Sequence, residues 1–93
     1  MTKRKITAYE LKNWLFDLWE HNYHIRINDV NFDTTRLNIC YDKMLDNMEF
    51  YNYKDNDLEN AVCIINLRKI TKVCGYDIEI VDPFYCDQEK EML

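Results

Sequence analysis

The sequence has no serine, one glycine, one proline and no pair of cysteines with C-x-x-C spacing. Without serine there is no serine nucleophile, and Gly75 alone cannot supply the clustered glycines of a Rossmann fingerprint or a P-loop. The four cysteines stand 23, 11 and 12 positions apart, which is not the spacing of a structural zinc site. We therefore expect no catalytic residue, no metal and no cofactor; a composite site of cysteines with His21 or His24 is a weaker alternative.

Long apolar runs are also absent. No stretch approaches the roughly 18 residues of a membrane helix, and the N-terminus has basic residues without the apolar segment of a secretory signal. We expect a cytoplasmic protein in which the cysteines are free, and Cys63 acts as a small hydrophobic residue. Ninety-three residues with 47% hydrophobic content predict one folded domain over 1–93, with flexible ends at 1–5 and 87–93.

The formal net charge of −5 bears on the choice of partner. Lys3, Arg4 and Lys5 contribute +3, so the other residues together carry −8. Nucleic-acid affinity comes mainly from lysine and arginine on phosphates, so this balance disfavours direct nucleic-acid binding. It favours encounter with a protein that presents a basic surface.

One amphipathic helix is the clearest element in the sequence. Thr7-Ala8-Tyr9-Glu10 is a capping box, in which the Thr7 hydroxyl accepts from the Glu10 amide and the Glu10 side chain reaches back. Apolar residues then recur at i, i+3, i+4, i+7 and i+8 from Leu11 to Trp19. The pattern predicts a helix from about residue 8 to residue 22.

After this helix the apolar period changes to two. Strands are predicted over 25–32, 37–41, 48–51, 61–67 and 76–80, with a turn or bulge near Asn28-Asp29 and a turn at 33–35. The run AVCIINL at 61–67 is almost entirely apolar, so we expect this strand to be central with both faces covered. Short connections without helical crossovers predict antiparallel pairing. The expected fold is α+β: the helix packs on a curled antiparallel sheet of four to five strands, or, as an alternative, on an SH3-like or Sm-like small barrel.

The stretch 42–60, DKMLDNMEFYNYKDNDLEN, holds six carboxylates and two lysines. On a hairpin, alternate residues would place Phe50 in the core and tyrosines on the opposite side. Interfaces favour tyrosine at their centre, and carboxylates around it can contact lysine and arginine in place of phosphates. The predicted partner-binding residues are Asp46, Glu49, Tyr51, Tyr53, Asp55, Asp57 and Glu59.

These features predict a protein that binds another protein and is not an enzyme. Many Asn, Ile and Lys residues suggest an AT-rich genome, such as that of a low-GC bacterium or its phage. In size, acidity and composition the chain is similar to phage-encoded inhibitors such as anti-CRISPR proteins, although no motif carries the likeness. The expected function is inhibition of a nucleic-acid-handling host enzyme. The alternative is a non-enzymatic regulatory or adaptor module with a small-barrel fold that binds a protein or a small ligand, and exposed edge strands would also allow a homodimer.

Overall fold

One α-helix and eight strands make up the part of the chain that the computed structural model describes, residues 3–52 and 61–82. Their bounds in chain order are β1 Arg4–Ile6, α1 Ala8–Glu20, β2 Ile25–Ile27, β3 Val30–Phe32, β4 Leu37–Asp42, β5 Asn47–Asn52, β6 Ala61–Asn66, a 3-10 turn Leu67–Lys69, β7 Lys72–Val73 and β8 Tyr76–Ile80. The α+β class expected from the sequence is confirmed.

The capping box begins α1 as the sequence predicts. The Thr7 hydroxyl accepts from the Glu10 amide at 3.1 Å, and the Glu10 carboxylate accepts from the Thr7 amide at 3.0 Å. Leu11 and Leu15 are fully buried. The helix ends at Glu20, two residues before the predicted end. Asn22 follows with a φ of 57°, a left-handed conformation that does not continue a helix.

The strands form two sheets and not one. A five-stranded sheet has the order β1-β8-β7-β2-β3, and a three-stranded sheet has the order β4-β5-β6. The sheets are neither closed into a barrel nor strongly curled. The small-barrel alternative and the expected curl of the sheet are therefore both wrong. All pairs are antiparallel except β1 with β8, whose residues Arg4 and Ile78 are partners in a parallel register.

β1 was missed by the sequence reasoning. We expected residues 1–5 to be a flexible end, but Arg4 and Lys5 pair with β8. The Arg4 guanidinium also lies 4.9 Å from the centroid of the Trp14 ring. The segment was missed because three residues with two charges show no strand periodicity.

The turn at Asn28-Asp29 joins β2 to β3 in a hairpin, as predicted. Both residues have positive φ, 49° and 68°, which is the signature of a type I′ turn. The Asn28 side-chain oxygen accepts from the Thr71 amide at 2.9 Å and from the Lys72 amide at 3.1 Å. The hairpin is thereby fastened to the segment that leads into β7.

β6 does not have the central position expected of it. Among the described strands it pairs with β5 alone, and Val62 and Ile64 are each 57% exposed. Only the alternate residues Cys63 and Ile65 pack against the core. Because β4, β5 and β6 follow one another through antiparallel pairing, the middle position belongs to β5, although its sequence is the more polar one.

Candidate functional site

The three-stranded sheet has one face in the core. Ile39, Met48 and Phe50 project from it, and Met48 and Phe50 have no exposed surface. The Phe50 ring stacks on Phe32 of the five-stranded sheet, with centroids 4.4 Å apart and an interplanar angle of 14°. Since side chains alternate along a strand, the residues between these core positions lie on the opposite side. We call that side the outer face.

The register of the strands defines the outer face. Cys40 lies opposite Glu49 on β5, and Glu49 lies opposite Ile64 on β6, so these three residues form one row across the sheet. The outer face has ten residues. The register places nine of them there: Asn38, Cys40, Asp42, Asn47, Glu49, Tyr51, Ala61, Ile64 and Asn66. The tenth is Val62, an exposed residue at the register shift between β5 and β6. Two of the ten are acidic and none is basic.

An apolar strip runs along the β6 side of this face. Val62 and Ile64 are large, exposed and two positions apart on one strand, and Glu49 lies directly across from Ile64. The solvent side of an antiparallel sheet usually carries polar residues. The folding of this sheet does not require β-branched side chains to be exposed next to a carboxylate. These exposed side chains therefore need another explanation.

Tyr51 and Glu49 form a pair on the outer face. The Tyr51 hydroxyl donates to the Glu49 carboxylate at 2.7 Å. This hydrogen bond, followed by desolvation and by the charge of Glu49, raises the pKa of Tyr51 to about 12. We expected both side chains to project into solvent, but Tyr51 is 9% exposed and Glu49 is half-buried. The alternation of Phe50 and Tyr51 was right, whereas the expected exposure of Tyr51 was wrong: the side chain is buried and its hydroxyl is bonded to Glu49.

Asp46 is a buried residue of the turn between β4 and β5, not a surface carboxylate. It is 7% exposed and has a φ of 56°. Its carboxylate accepts from Arg68 Nε at 2.9 Å and from the Tyr41 hydroxyl, and its carbonyl oxygen accepts from the Leu67 amide at 2.8 Å. These bonds fix the turn, so the geometry gives Asp46 a structural role and does not place it on the outer face.

Arg68 extends this polar network to the helix. Its Nη1 donates to the Asp82 carbonyl oxygen at 2.6 Å, and its Nη2 lies 3.5 Å from the Asp82 carboxylate. That carboxylate also accepts from the Ala8 amide at the start of α1, at 2.9 Å. Sequence reasoning identified neither Arg68 nor Asp82, because no local pattern connects residues that are 22 and 14 positions apart.

The other predicted binding residues, Tyr53, Asp55, Asp57 and Glu59, lie outside the described residues. They belong to the segment that connects β5 to β6, the two strands that carry Glu49, Tyr51, Val62 and Ile64. Their role in binding stays a prediction from the sequence. Of the seven predicted residues, the structure brings Glu49 and Tyr51 together and separates Asp46 from them.

An open depression of about 370 Å³ adjoins the Asp46 turn and is lined by Leu45, Asn47, Asn66 and Arg68. The Asn66 amide nitrogen donates to the Leu45 carbonyl at 2.7 Å and to Asn47 Oδ1 at 2.9 Å. Arg68 is bound to Asp46 and Asp82 as described above. The polar groups of this depression therefore bind one another, an arrangement that stabilises the fold.

Three cysteines and both histidines lie in the described ranges, 3–52 and 61–82. No three His, Cys, Asp or Glu side chains are grouped there in a way that could hold a metal ion. Cys40, Cys63 and Cys74 are free thiols, and burial raises the pKa of Cys63, which lowers the fraction of reactive thiolate. The carbonyl oxygen of Asp17, 2.8 Å from His21 Nδ1, and the Asp17 carboxylate raise the pKa of His21 near the helix end.

Comparison of the chain with protein-family models, with curated proteins and with solved structures finds no match. Within the described residues, no helix has the length and apolar character needed to cross a membrane.

Replacement of Arg68 by methionine tests the structural role of Asp46. The variant keeps an apolar stem of similar length but leaves the Asp46 carboxylate without its guanidinium. We expect Arg68→Met to lower the free energy of unfolding by about 2–4 kcal/mol, toward the range for breaking a buried pair. Urea unfolding measures the difference. The control is Arg36→Met: its side chain is 79% exposed beside Asp33, and we expect a loss of about 0–1 kcal/mol. Equal losses in the two variants would contradict the assigned role.

A second variant, Glu49→Gln, tests the pair on the outer face. Removal of the carboxylate charge should lower the pKa of Tyr51 from about 12 toward the ordinary value of 10.0. The titration can be followed by NMR of ring-labelled tyrosine, with Glu79→Gln on β8 as the control. Because the folded-state pKa is raised, the stabilising effect of this bond is complete below pH 10 and is lost as the pH rises toward 12. An unchanged Tyr51 titration in Glu49→Gln would show that another group holds the phenol proton.

Proposed function

We propose that this protein is a non-enzymatic inhibitor that binds a nucleic-acid-handling enzyme through the outer face of the β4-β5-β6 sheet. The observation that supports the proposal is the exposed pair Val62 and Ile64 beside the carboxylate of Glu49. The source proposed for such a protein is a phage or another mobile element, and the proposed setting is the cytoplasm, where thiols such as Cys40 stay reduced.

The apolar strip supports the choice of a protein as partner. Ile64 is paired with Glu49 of β5, and Val62 lies two positions before it at the register shift between the two strands. The Ile64 side chain therefore meets a partner without the ordering cost of a loop. Glu49 and Tyr51 are likewise held in place, because the hydroxyl of one donates to the carboxylate of the other. A rigid apolar strip bordered by polar groups is the usual composition of a protein interface.

The charge supports a basic partner. The outer face has Asp42 and Glu49 but no lysine or arginine, and the segment 53–60 that joins β5 to β6 adds three carboxylates against one lysine. The basic residues Arg4 and Lys5 belong to the five-stranded sheet, where Arg4 covers Trp14. Carboxylates held next to an apolar strip can occupy the lysine and arginine side chains of a nucleic-acid channel.

The experiment is capture from a lysate of a low-GC bacterium on immobilised protein, followed by mass spectrometry. We expect the wild-type chain to retain an enzyme that acts on nucleic acid, and we expect added duplex DNA or a rise in salt to release it. Glu49→Lys should reduce this retention at least tenfold, because it reverses the charge at the centre of the outer face. Glu79→Lys, an exposed position on β8, makes the same charge change on the other sheet and should retain the enzyme.

Three outcomes would contradict the proposal. The first is equal retention by Glu49→Lys and wild type, and the second is equal loss in Glu79→Lys, which would indicate an effect of net charge alone. The third is retention that DNA and salt leave unchanged, which would favour the regulatory module as the alternative function. Thermal midpoints of both variants, measured beside the wild type, separate loss of binding from loss of folding.

A further inference from the structure

Two large apolar side chains project from the turn between β4 and β5. Met44 is 55% exposed and Leu45 is 56% exposed, and the two are neighbours in the turn 43–46. Surface turns usually carry glycine, proline, asparagine, aspartate or serine, each of which favours the turn by its conformation or its hydrogen bonds. Methionine and leucine do neither, so the fold alone does not account for their exposure. We call Met44 and Leu45 the apolar tip.

Hydrogen bonds hold the backbone of the apolar tip. The Asp42 carboxylate accepts from the Met44 amide at 3.0 Å and from the Leu45 amide at 3.3 Å. The Leu45 carbonyl oxygen accepts from the Asn66 side chain at 2.7 Å, and Asp46 is bound as described above. These bonds fix the turn while the two apolar side chains remain in contact with solvent. A turn fixed in this way has little ordering cost when a partner covers it.

The apolar tip is continuous with the outer face. Asn47 and Asn66 are paired residues of that face, and together with Leu45 they line the same depression. The Asn66 side chain is bonded to both Leu45 and Asn47. Glu49 stands two positions beyond Asn47 on β5, about 7 Å along the strand. A protein that covers Glu49 and Ile64 therefore has the apolar tip at the border of its contact.

We infer that the apolar tip inserts into an apolar pocket of the enzyme that the outer face binds, next to the basic residues that Glu49 contacts. This inference rests on the proposed function and adds a second feature that the partner must have. The convex shape of the tip suits a pocket in another protein, because small ligands bind in concave sites.

Charge favours the enzyme over a second copy of this chain as the partner of the tip. A two-fold contact between two tips brings the same surface of both copies together. Asp42 and Glu49 of one copy would then approach Asp42 and Glu49 of the other, since the tip adjoins an outer face that has carboxylates and no basic residue. Like charges brought together disfavour such a contact, whereas a basic surface favours it.

A variant of the apolar tip tests the inference. The probe is the enzyme that the wild-type chain retains from the lysate, after it has been identified and purified. Leu45→Asn removes the apolar side chain and introduces a residue that turns favour. We expect it to raise the dissociation constant at least tenfold and to leave the thermal midpoint unchanged. Val30→Asn is the matched control, since Val30 is 55% exposed on β3 of the other sheet, and it should change the constant less than threefold.

Salt separates the contribution of the tip from that of the carboxylate. Dissolved ions screen the attraction between Glu49 and basic residues, whereas they do not screen the burial of an apolar side chain. The fold-change caused by Leu45→Asn should therefore be the same at low and at high salt. The fold-change caused by Glu49→Lys should decrease as the salt concentration rises.

Equal binding of the enzyme by Leu45→Asn and wild type would overturn the inference and leave the proposed function intact. An equal loss in Val30→Asn would do the same. A wild-type mass above 11.4 kDa in sedimentation equilibrium that Leu45→Asn reduces to 11.4 kDa would show that the tip contacts a second copy, and would also overturn the inference. A wild-type chain that retains no nucleic-acid-handling enzyme would contradict the proposed function, and the inference with it.

Discussion

The stacking of Phe32 on Phe50, with centroids 4.4 Å apart, joins the two sheets in one core. The helix adds Leu11 and Leu15 to the same core, and the Trp19 indole donates to the Leu37 carbonyl at 2.6 Å to hold it against β4. With one core between them, each sheet has one side to bury. The outer face of the three-stranded sheet points away from this core. The packing of the core therefore does not determine which residues the outer face carries.

Core packing constrains the residues on one side of the three-stranded sheet but not those on the outer face. The acidic stretch that begins at Asp42 contains residues of both kinds. At its start, Asp46 is enclosed by Arg68 and Tyr41 and holds the turn that sets the register of β4 and β5. A few residues later, Glu49 and Tyr51 stand on the outer face beside the apolar side chains of β6. One run of carboxylates thus contains a structural residue and candidate binding residues, and only the direction of each side chain separates the two roles.

The sequence predicted the features that depend on near neighbours. The capping box at Thr7 and Glu10 involves residues three apart, and the hairpin at Asn28-Asp29 depends on two side chains that tolerate positive φ. It did not predict the division into two sheets, nor that β6 pairs with β5 alone among the described strands, because an apolar run such as Ala61–Asn66 shows what a strand can bury and not which strands lie beside it. The burial of Asp46 was also out of reach, since its partner lies 22 residues away. Of the candidate site, the alternation of Phe50 and Tyr51 was predictable, whereas the exposed edge of the outer face was not.

Site-specific photo-crosslinking tests most directly whether the outer face contacts another protein, as proposed. Benzoylphenylalanine would replace Cys40, an exposed residue of the outer face that lies directly opposite Glu49. Cys40 stands on β4, and β5 separates it from β6. Val30, exposed on β3 of the other sheet, is the reference position. Irradiation in a bacterial lysate should link position 40 to a nucleic-acid-handling enzyme and leave position 30 without that product. The same product at both positions, or at position 30 alone, would contradict the assignment of the outer face as the binding surface.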